Sequence, residues 1–298
     1  MKHVFILNPK AGKYSIHQLK EEIEKTFGAY DYVIEETKGR HDATRIAKEY
    51  ARTGLDLCFY ACGGDGTLHE VVNGMYHYPN AKLAIFPIGT GNDFIKCLKD
   101  YEKEDFLDLS NYLNPCFSSC DLLQCHDFVA INTLSAGLDV SIAKNVEHFK
   151  TLPFAKGAIP YYLSLLYSFV KELGEEYTLL LDGKKLAREF YSFVVACNGT
   201  CYGGGFHPSP NAIFNDGWID VCLIKKVARM TILRLSKKYK TGGHLSYRDL
   251  VSLRQVKSLQ ILSDHPILLN ADGEIYQVIN PIIQLLPNAI TLCLPKKH

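Results

Sequence analysis

Apolar positions along the first third of the chain recur with two alternating periods. "HVFIL" is a short continuous apolar run that reads as a strand, after which Ile16, Leu19, Ile23 and Phe27 return at helical spacing. "DYVIE" is a second strand, followed by a helix through Ala43, Ile46, Ala47, Tyr50 and Ala51. "LCFYA" leads into a helix marked by Leu68, Val71, Val72 and Met75, and "LAIFPI" into a short helix from about Asp93. Four such units predict a doubly wound parallel sheet covered on both faces, with ligands at the carboxyl ends of its strands.

Beyond about Cys120 the period changes. "FVAINTL", "EEYTLLL", "KKLAREFYSFVVACNG", "WIDVCLI", "SLQILS", "PILLNADGEIY" and "ITLCLP" are strand-like, and Asp182-Gly183 and Asp272-Gly273 read as hairpin turns. The expectation is an α/β domain over 1–120 and a mainly antiparallel, β-sandwich-like domain over 121–298, with the segment 285–298 returning to the first. Helices are expected to interrupt the second domain at about 159–173 and 228–240. Close packing of the two should leave a cleft between them.

Composition narrows the function. The 298 residues, 47% hydrophobic, suffice for a sizeable core. Thirty-three Lys and Arg against 32 Asp and Glu give a net charge of +1, so no global field points to nucleic acid or an acidic membrane. Electrostatic recognition must be local. Ten cysteines lie scattered in apolar runs and read as reduced, buried thiols; the pairs Cys58/Cys62, Cys116/Cys120 and Cys197/Cys201 lack zinc-site spacing and paired histidines. The opening apolar run is too short for a signal peptide, which predicts a cytoplasmic protein. "AIPYYLSLLYSFV" falls short of the ~20 residues of a membrane span. It reads as a packed helix, with contact to a membrane surface as the alternative.

Three polar loops follow predicted strands. "CGGDGTLHEVVNG", Cys62 to Gly74, places free amides at a helix N-terminus, an architecture suited to phosphate. "IFPIGTGNDF" brings Gly89, Thr90, Gly91, Asn92 and Asp93 before another helix, and "NPKAGK" follows the first strand, although Tyr14 after Gly12-Lys13 breaks the Walker pattern. Lys13 is a candidate phosphate ligand or a solvated loop lysine. Thr67 and Glu70 fit a capping box as well as a nucleotide contact. Asp65 is the unexpected element: beside a phosphate it would meet repulsion of up to roughly 4 kcal/mol at ~4 Å and an effective dielectric near 20. A magnesium ion between carboxylate and phosphates removes that conflict; stabilisation of the turn and helix dipole is the alternative.

"NPKAG", "GGDGTLHEVVNG" and "PIGTGNDF", in this order, resemble the diacylglycerol kinase catalytic domain of bacterial lipid kinases, a family related to sphingosine and ceramide kinases and NAD-kinase-like in its two-domain plan. The resemblance continues through "CDLL" around Asp121, "NTLSAGLD" from Asn132, "GGGFHPSPNAIFNDGWIDV" from Gly203 and "NADGE" from Asn270 to Glu274. It implies that Asn8, Pro9, Lys10, Ala11 and Gly12, Thr37, the segment Gly64, Asp65, Gly66, Thr67, Leu68, His69 and Glu70, and Thr90 surround ATP, with Lys13 steadying its phosphates. It implies an acidic network of Asp65, Asp93 and Asp121 with Asp272 at the cleft, and Glu274 as proton acceptor, while Asp272 could equally orient the lipid hydroxyl or bind magnesium. It also implies a second, structural magnesium held by the Asp216 carboxylate and the backbone carbonyls of Ile213 and Trp218.

His69, Phe206 and His207 fall where the family varies, and the lone histidines read as surface or packing residues. The implied activity is ATP- and magnesium-dependent phosphorylation of a lipid hydroxyl, diacylglycerol by default, at or near a membrane surface and without nucleic acid. An NAD kinase is the competing enzyme. A catalytically silent lipid- or nucleotide-binding regulator is the competing class, disfavoured by retention of Lys13, Asp65, Asp272 and Glu274. An edge strand could pair two copies into a homodimer.

Overall fold

The computed structural model describes residues 1–12, 14–138, 140 and 173–297. Strands β1 (Lys2–Leu7), β2 (Tyr32–Glu36), β3 (Leu57–Gly63) and β4 (Ala81–Pro87) form a parallel sheet in the order β2-β1-β3-β4. Helices α1 (Ile16–Phe27), α2 (Asp42–Ala51) and α3 (Asp65–Met75) connect them. The continuous apolar run of β1 is explained by this placement. Val4 and Ile6 pack with Ile46, Ala47, Val71 and Val72 of α2 and α3, while Phe5 and Leu7 pack on the other face with Leu19, Ile23 and Phe27 of α1. Each such fully buried side chain contributes about 1.5–3 kcal/mol, and the doubly covered sheet is thereby fixed.

The second half is built from β5 (Cys116–Cys125), β6 (Phe128–Ala130), β7 (Thr133–Gly137), β8 (Glu175–Leu181), β9 (Lys184–Lys185), β10 (Glu189–Cys197), β11 (Ile219–Lys225), β12 (Val251–Val256), β13 (Ser258–Leu262), β14 (Ile267–Ala271), β15 (Glu274–Val278) and β16 (Ile282–Leu294). These pair antiparallel into a sandwich-like body, whose core includes Leu123, Leu134, Leu179, Val194, Val221, Leu259, Leu269 and Ile283. β16 also belongs to the first sheet. It runs antiparallel to β5 and β13, shifts register between Leu286 and Ile290, and then lies parallel to β4 at Thr291 and Leu292. A helix α4 (Lys103–Leu107) precedes β5, and α5 (Arg229–Tyr239) follows β11.

Several expectations need correction. "FVAINTL" is not one strand: it breaks between β6 and β7 because the amides of Ile131, Asn132 and Thr133 donate to the Asp272 carboxylate. "KKLAREFYSFVVACNG" divides into β9 and β10, with β9 closing the Asp182-Gly183 hairpin. β5 and β12 are strands that the apolar pattern did not reveal. The helix expected at 159–173, which contains "AIPYYLSLLYSFV", lies outside the described residues. All ten cysteines are free thiols, nine of them buried. Among the described residues no helix is long and apolar enough to cross a membrane.

Candidate active site

The loops after β1, β3 and β4 emerge on one edge and pack against each other backbone to backbone. Asn8 N–H donates to the Cys62 carbonyl, Asn8 Nδ2 to Thr67 Oγ1 at 3.0 Å, and Gly89 N–H to the Gly63 carbonyl at 3.0 Å. Thr37 at the end of β2 joins them through its amide to Leu7. This closeness requires glycine at two points. A Cβ on Gly89 would overlap Gly64 Cα and lie 2.9 Å from both Gly64 N and Asn92 Oδ1, and one on Gly12, at φ +61°, would overlap the Ile88 carbonyl. Gly89→Ala is therefore expected to cost about 1–3 kcal/mol through overpacking, read as a lower urea midpoint at unchanged slope; wild-type stability would contradict the packing.

Helix α3 starts at Asp65, with Gly64 as N-cap and no side-chain cap. The expected capping box is thus absent, because Thr67 already lies inside the helix and bonds Asn8. Glu70 turns outward instead: its two oxygens accept from the amides of His41 and Ala43 at 2.7 and 3.0 Å, which caps α2. Asp65 Oδ1 accepts from Asp93 N–H at 2.7 Å. Asp93 is itself held by Gly204 N–H at 2.8 Å and by Lys96 at 2.5 Å. Burial and the Asp93 charge push the Asp65 carboxyl up to about 6. Lys96 pairs with Asp93 and not with Asp65, and the hard oxygen donors of these two neighbouring carboxylates suit a magnesium ion.

A polar stripe, Asp65, His69 and Asn73, runs along α3 at intervals of four and faces the second half of the chain. Asn73 donates to and accepts from the Val129 backbone at 2.9 Å each way. His69, fully enclosed, lies 3.3 Å from Asp272 Oδ2 through Nδ1 and 2.9 Å from the Tyr276 hydroxyl through Nε2. A carboxylate can only accept, so Nδ1 donates to Asp272, and in the neutral ring Nε2 accepts from Tyr276. Burial, Glu274 and Asp272 push that phenol up to about 12, which keeps it a donor.

Asp272 occupies the β14–β15 turn at φ +52° and its side chain is only 3% exposed. It accepts from Ile131, Asn132 and Thr133 amides at 2.8–3.0 Å besides His69, so its lone pairs are largely spent inside the protein. Glu274, two residues on and 20% exposed, is different. Its Oε1 stands 3.7 Å from where a Cβ on Gly66 would lie, directly over the glycine turn, and Oε2 pairs with Arg40 from the β2–α2 loop.

Asp121 is placed elsewhere. Its oxygens accept from Gly217 N–H at 2.8 Å and Asn288 N–H at 2.7 Å, tying the 213–218 loop to the register shift of β16. Asp216 in that loop is exposed; Oδ1 accepts from Trp218 N–H at 2.9 Å, and the other oxygen accepts nothing among the described residues. Lys257 donates to the Gly217 carbonyl and lies 3.6 Å over the Trp218 ring. The outward carboxylate oxygen of Asp216 is a hard donor of the kind a divalent cation takes, whereas the Gly217 carbonyl of the same loop is already occupied by the Lys257 ammonium.

The structure therefore brings Asn8, Thr37, Gly64, Asp65, Gly66, Thr67, Gly89, Asp93, Asp272 and Glu274 to one mouth. Pro9, Lys10 and Ala11 continue the Asn8 turn, and Thr90 is exposed beside it. Leu68 is buried in the core, Asp121 joins the Ile213–Trp218 loop, and Lys13 lies outside the described residues. Arg40, Tyr276 and Gly204 complete the arrangement. For His69 and Asn73 the sequence did carry a signal: polar residues spaced by four from Asp65 on a helix otherwise rich in core positions.

The chain is similar to known proteins over nearly its whole length. The sequence matches the Diacylglycerol kinase catalytic domain over residues 2–124 and the YegS C-terminal NAD kinase beta sandwich-like domain over residues 132–294. The Diacylglycerol kinase of Bacillus subtilis is 28% identical over 90% of this chain and 88% of its own. A protein of Pseudomonas putida named Probable lipid kinase YegS-like is 30% identical over 85% and 82%. Two solved chains from Bacillus anthracis superpose over 98% of this chain with TM-scores of 0.75 and 0.72 at 25% and 22% identity, covering 97% and 96% of theirs. With both halves matched, and the glycine loops and the "DGE" turn meeting at one mouth, this chain belongs to the diacylglycerol kinase and YegS family of lipid kinases.

Proposed function

We propose that the protein transfers the γ-phosphoryl group of ATP to the free hydroxyl of diacylglycerol, giving phosphatidic acid and ADP. The observation that carries the reading is Glu274: an ionisable carboxylate from the second half of the chain stands over the glycine turn while its neighbour Asp272 is spent on backbone amides. The amides of the first turn of α3 receive the phosphates, since those of Asn8, Lys10, Ala11, Ile88 and Gly89 are already bonded within the loops. Glu274 takes the hydroxyl proton as the lipid oxygen bonds to phosphorus and the bond to the bridging oxygen breaks. Arg40 pairs with Glu274 and aims it, and Asp272 fixes the turn that presents it. Asp65, supported by Asp93, would hold magnesium, which when bound neutralises phosphate charge. Asp216 with the carbonyls of Ile213 and Trp218 would hold a second, structural magnesium. Positioning and preorganised electrostatics supply most of the acceleration.

The test is transfer of labelled phosphate from ATP to a panel of diacylglycerol, monoacylglycerol, a sphingoid base and NAD, with and without magnesium. Magnesium-dependent labelling of diacylglycerol above the others is expected. Labelling of NAD alone would sink the lipid reading, and labelling of another lipid alcohol would overturn the choice of diacylglycerol.

A further inference from the structure

Between Lys225 and Arg248 the chain carries eight Lys and Arg and no Asp or Glu. Removing these eight from its 33 cations leaves 25 against 32 acidic residues, so this stretch carries more positive charge than the chain's net of +1; of the eight, Lys225 is paired with Glu189. The structure concentrates the charge on α5. Ile232, Leu235 and Tyr239 bury one face of that helix, with Val227 and Val251 beside them. The opposite face presents Met230, Arg234 and Lys237 at i, i+4 and i+7, all exposed, and Lys238 and Lys240 extend it at the C-terminal end. Met230 is 67% exposed in the midst of these charges. Among the described residues Arg234, Lys237, Lys238 and Lys240 make no ion pair with an acid; Lys238 and Lys240 instead lie over the rings of Tyr247 and Phe206.

The face is also connected to the acidic mouth. His207 N–H donates to the Tyr239 carbonyl, Lys240 covers Phe206, and Tyr202 pairs with Phe206 across the glycine turn. Within that turn, Gly204 donates to Asp93, which donates to Asp65. One loop thus separates the basic end of α5 from the site.

We propose that the outer face of α5 docks the enzyme on an anionic phospholipid surface. The inference rests on the lipid-substrate reading above for the nature of that surface. Cations attract anionic headgroups, and an exposed methionine among them suits the boundary between headgroup and acyl chain. A nucleic-acid backbone would use the charges and leave Met230 without a role. Docking here would hold the mouth at the surface from which the lipid alcohol is drawn, while the rest of the molecule, net acidic, is repelled from it.

The experiment is co-sedimentation of the full chain with vesicles of phosphatidylcholine, and of equal parts phosphatidylcholine and phosphatidylglycerol. Wild type is compared with the triple variant Arg234→Gln/Lys237→Gln/Lys238→Gln and with Met230→Ser, each checked for wild-type thermal unfolding. Each cation near such a surface is worth about fivefold in partition, so the triple variant should bind anionic vesicles roughly 100-fold more weakly. Met230→Ser should lose several-fold, and high salt should release the wild type. Equal partition of wild type and triple variant, or equal wild-type binding to both vesicles, overturns the proposal; so does stronger binding to a single-stranded oligonucleotide than to anionic vesicles. Transfer to a short-chain diacylglycerol in detergent micelles is measured alongside and should be the same in all variants. If no variant or wild type labels any lipid, the functional reading fails, whereas the vesicle result still reads the face.

Discussion

Glu274→Gln is expected to lower phosphoryl transfer by roughly 10²–10⁴-fold while leaving the unfolding midpoint close to wild type. The substitution removes the ionisable acceptor over the glycine turn and breaks the pair with Arg40, a partly exposed contact worth little to stability. Asp272→Ala should behave in the opposite order. It leaves the amides of Ile131, Asn132 and Thr133 without their acceptor, each unpaired buried group costing about 1–3 kcal/mol, so the fold is lost or severely weakened before activity can be compared. Initial rates with labelled ATP and urea unfolding of both variants provide the check. Comparable loss of rate in a fully stable Asp272→Ala protein would show that Asp272, and not its neighbour, is the base.

The second large effect concerns Asp65, where activity and stability are expected to move apart. Its carboxyl is held at about 6 in the folded protein against 3.8 for the free group, chiefly by burial and then by Asp93. Between those values the folded state binds more proton than the unfolded chain, so stability falls as pH rises through this window. Above it the full cost is present, on the order of 2–3 kcal/mol. An asparagine side chain in its place carries no such charge and keeps an acceptor for Asp93 N–H. In metal-free buffer at pH 7.5 Asp65→Asn should therefore unfold later than wild type, with the two curves converging toward pH 4. Magnesium should raise the wild-type midpoint and not that of the variant. Transfer should be nearly abolished. A destabilised variant would mean that Asp65 is compensated within the protein and not by a cation.

The contrast between these two carboxylates shows where sequence reading succeeds and where it stops. The glycine loops were legible because their turn chemistry is local: a strand, two or three glycines, then a helix. The doubly covered sheet was legible for the same reason, since β1 alternates Phe5 and Leu7 with Val4 and Ile6 and has no polar face. Asp272 looked like a hairpin residue with a choice of roles, and its three amide donors sit about 140 residues away on the strand it interrupts. Nothing in "FVAINTL" announces that break. Glu70 misled in another way: the capping-box pattern is local, but the helix begins at Asp65 and Glu70 caps α2 instead. His69, expected to lie beside ATP, is instead buried and bridges Asp272 and Tyr276.

β16 has a consequence for how the molecule is made. As the chain leaves the ribosome, the glycine loops after β1, β3 and β4 emerge first, but the edge of β4 has to wait for Thr291 and Leu292. At ordinary elongation rates that interval is on the order of 10 s, far longer than a sheet needs to form. Throughout it, the nascent protein presents an unpaired parallel edge beside an unfinished core, a template for pairing with the wrong neighbour. Chaperone demand should therefore peak between the emergence of β4 and that of β16, and fall away when residues 282–294 arrive.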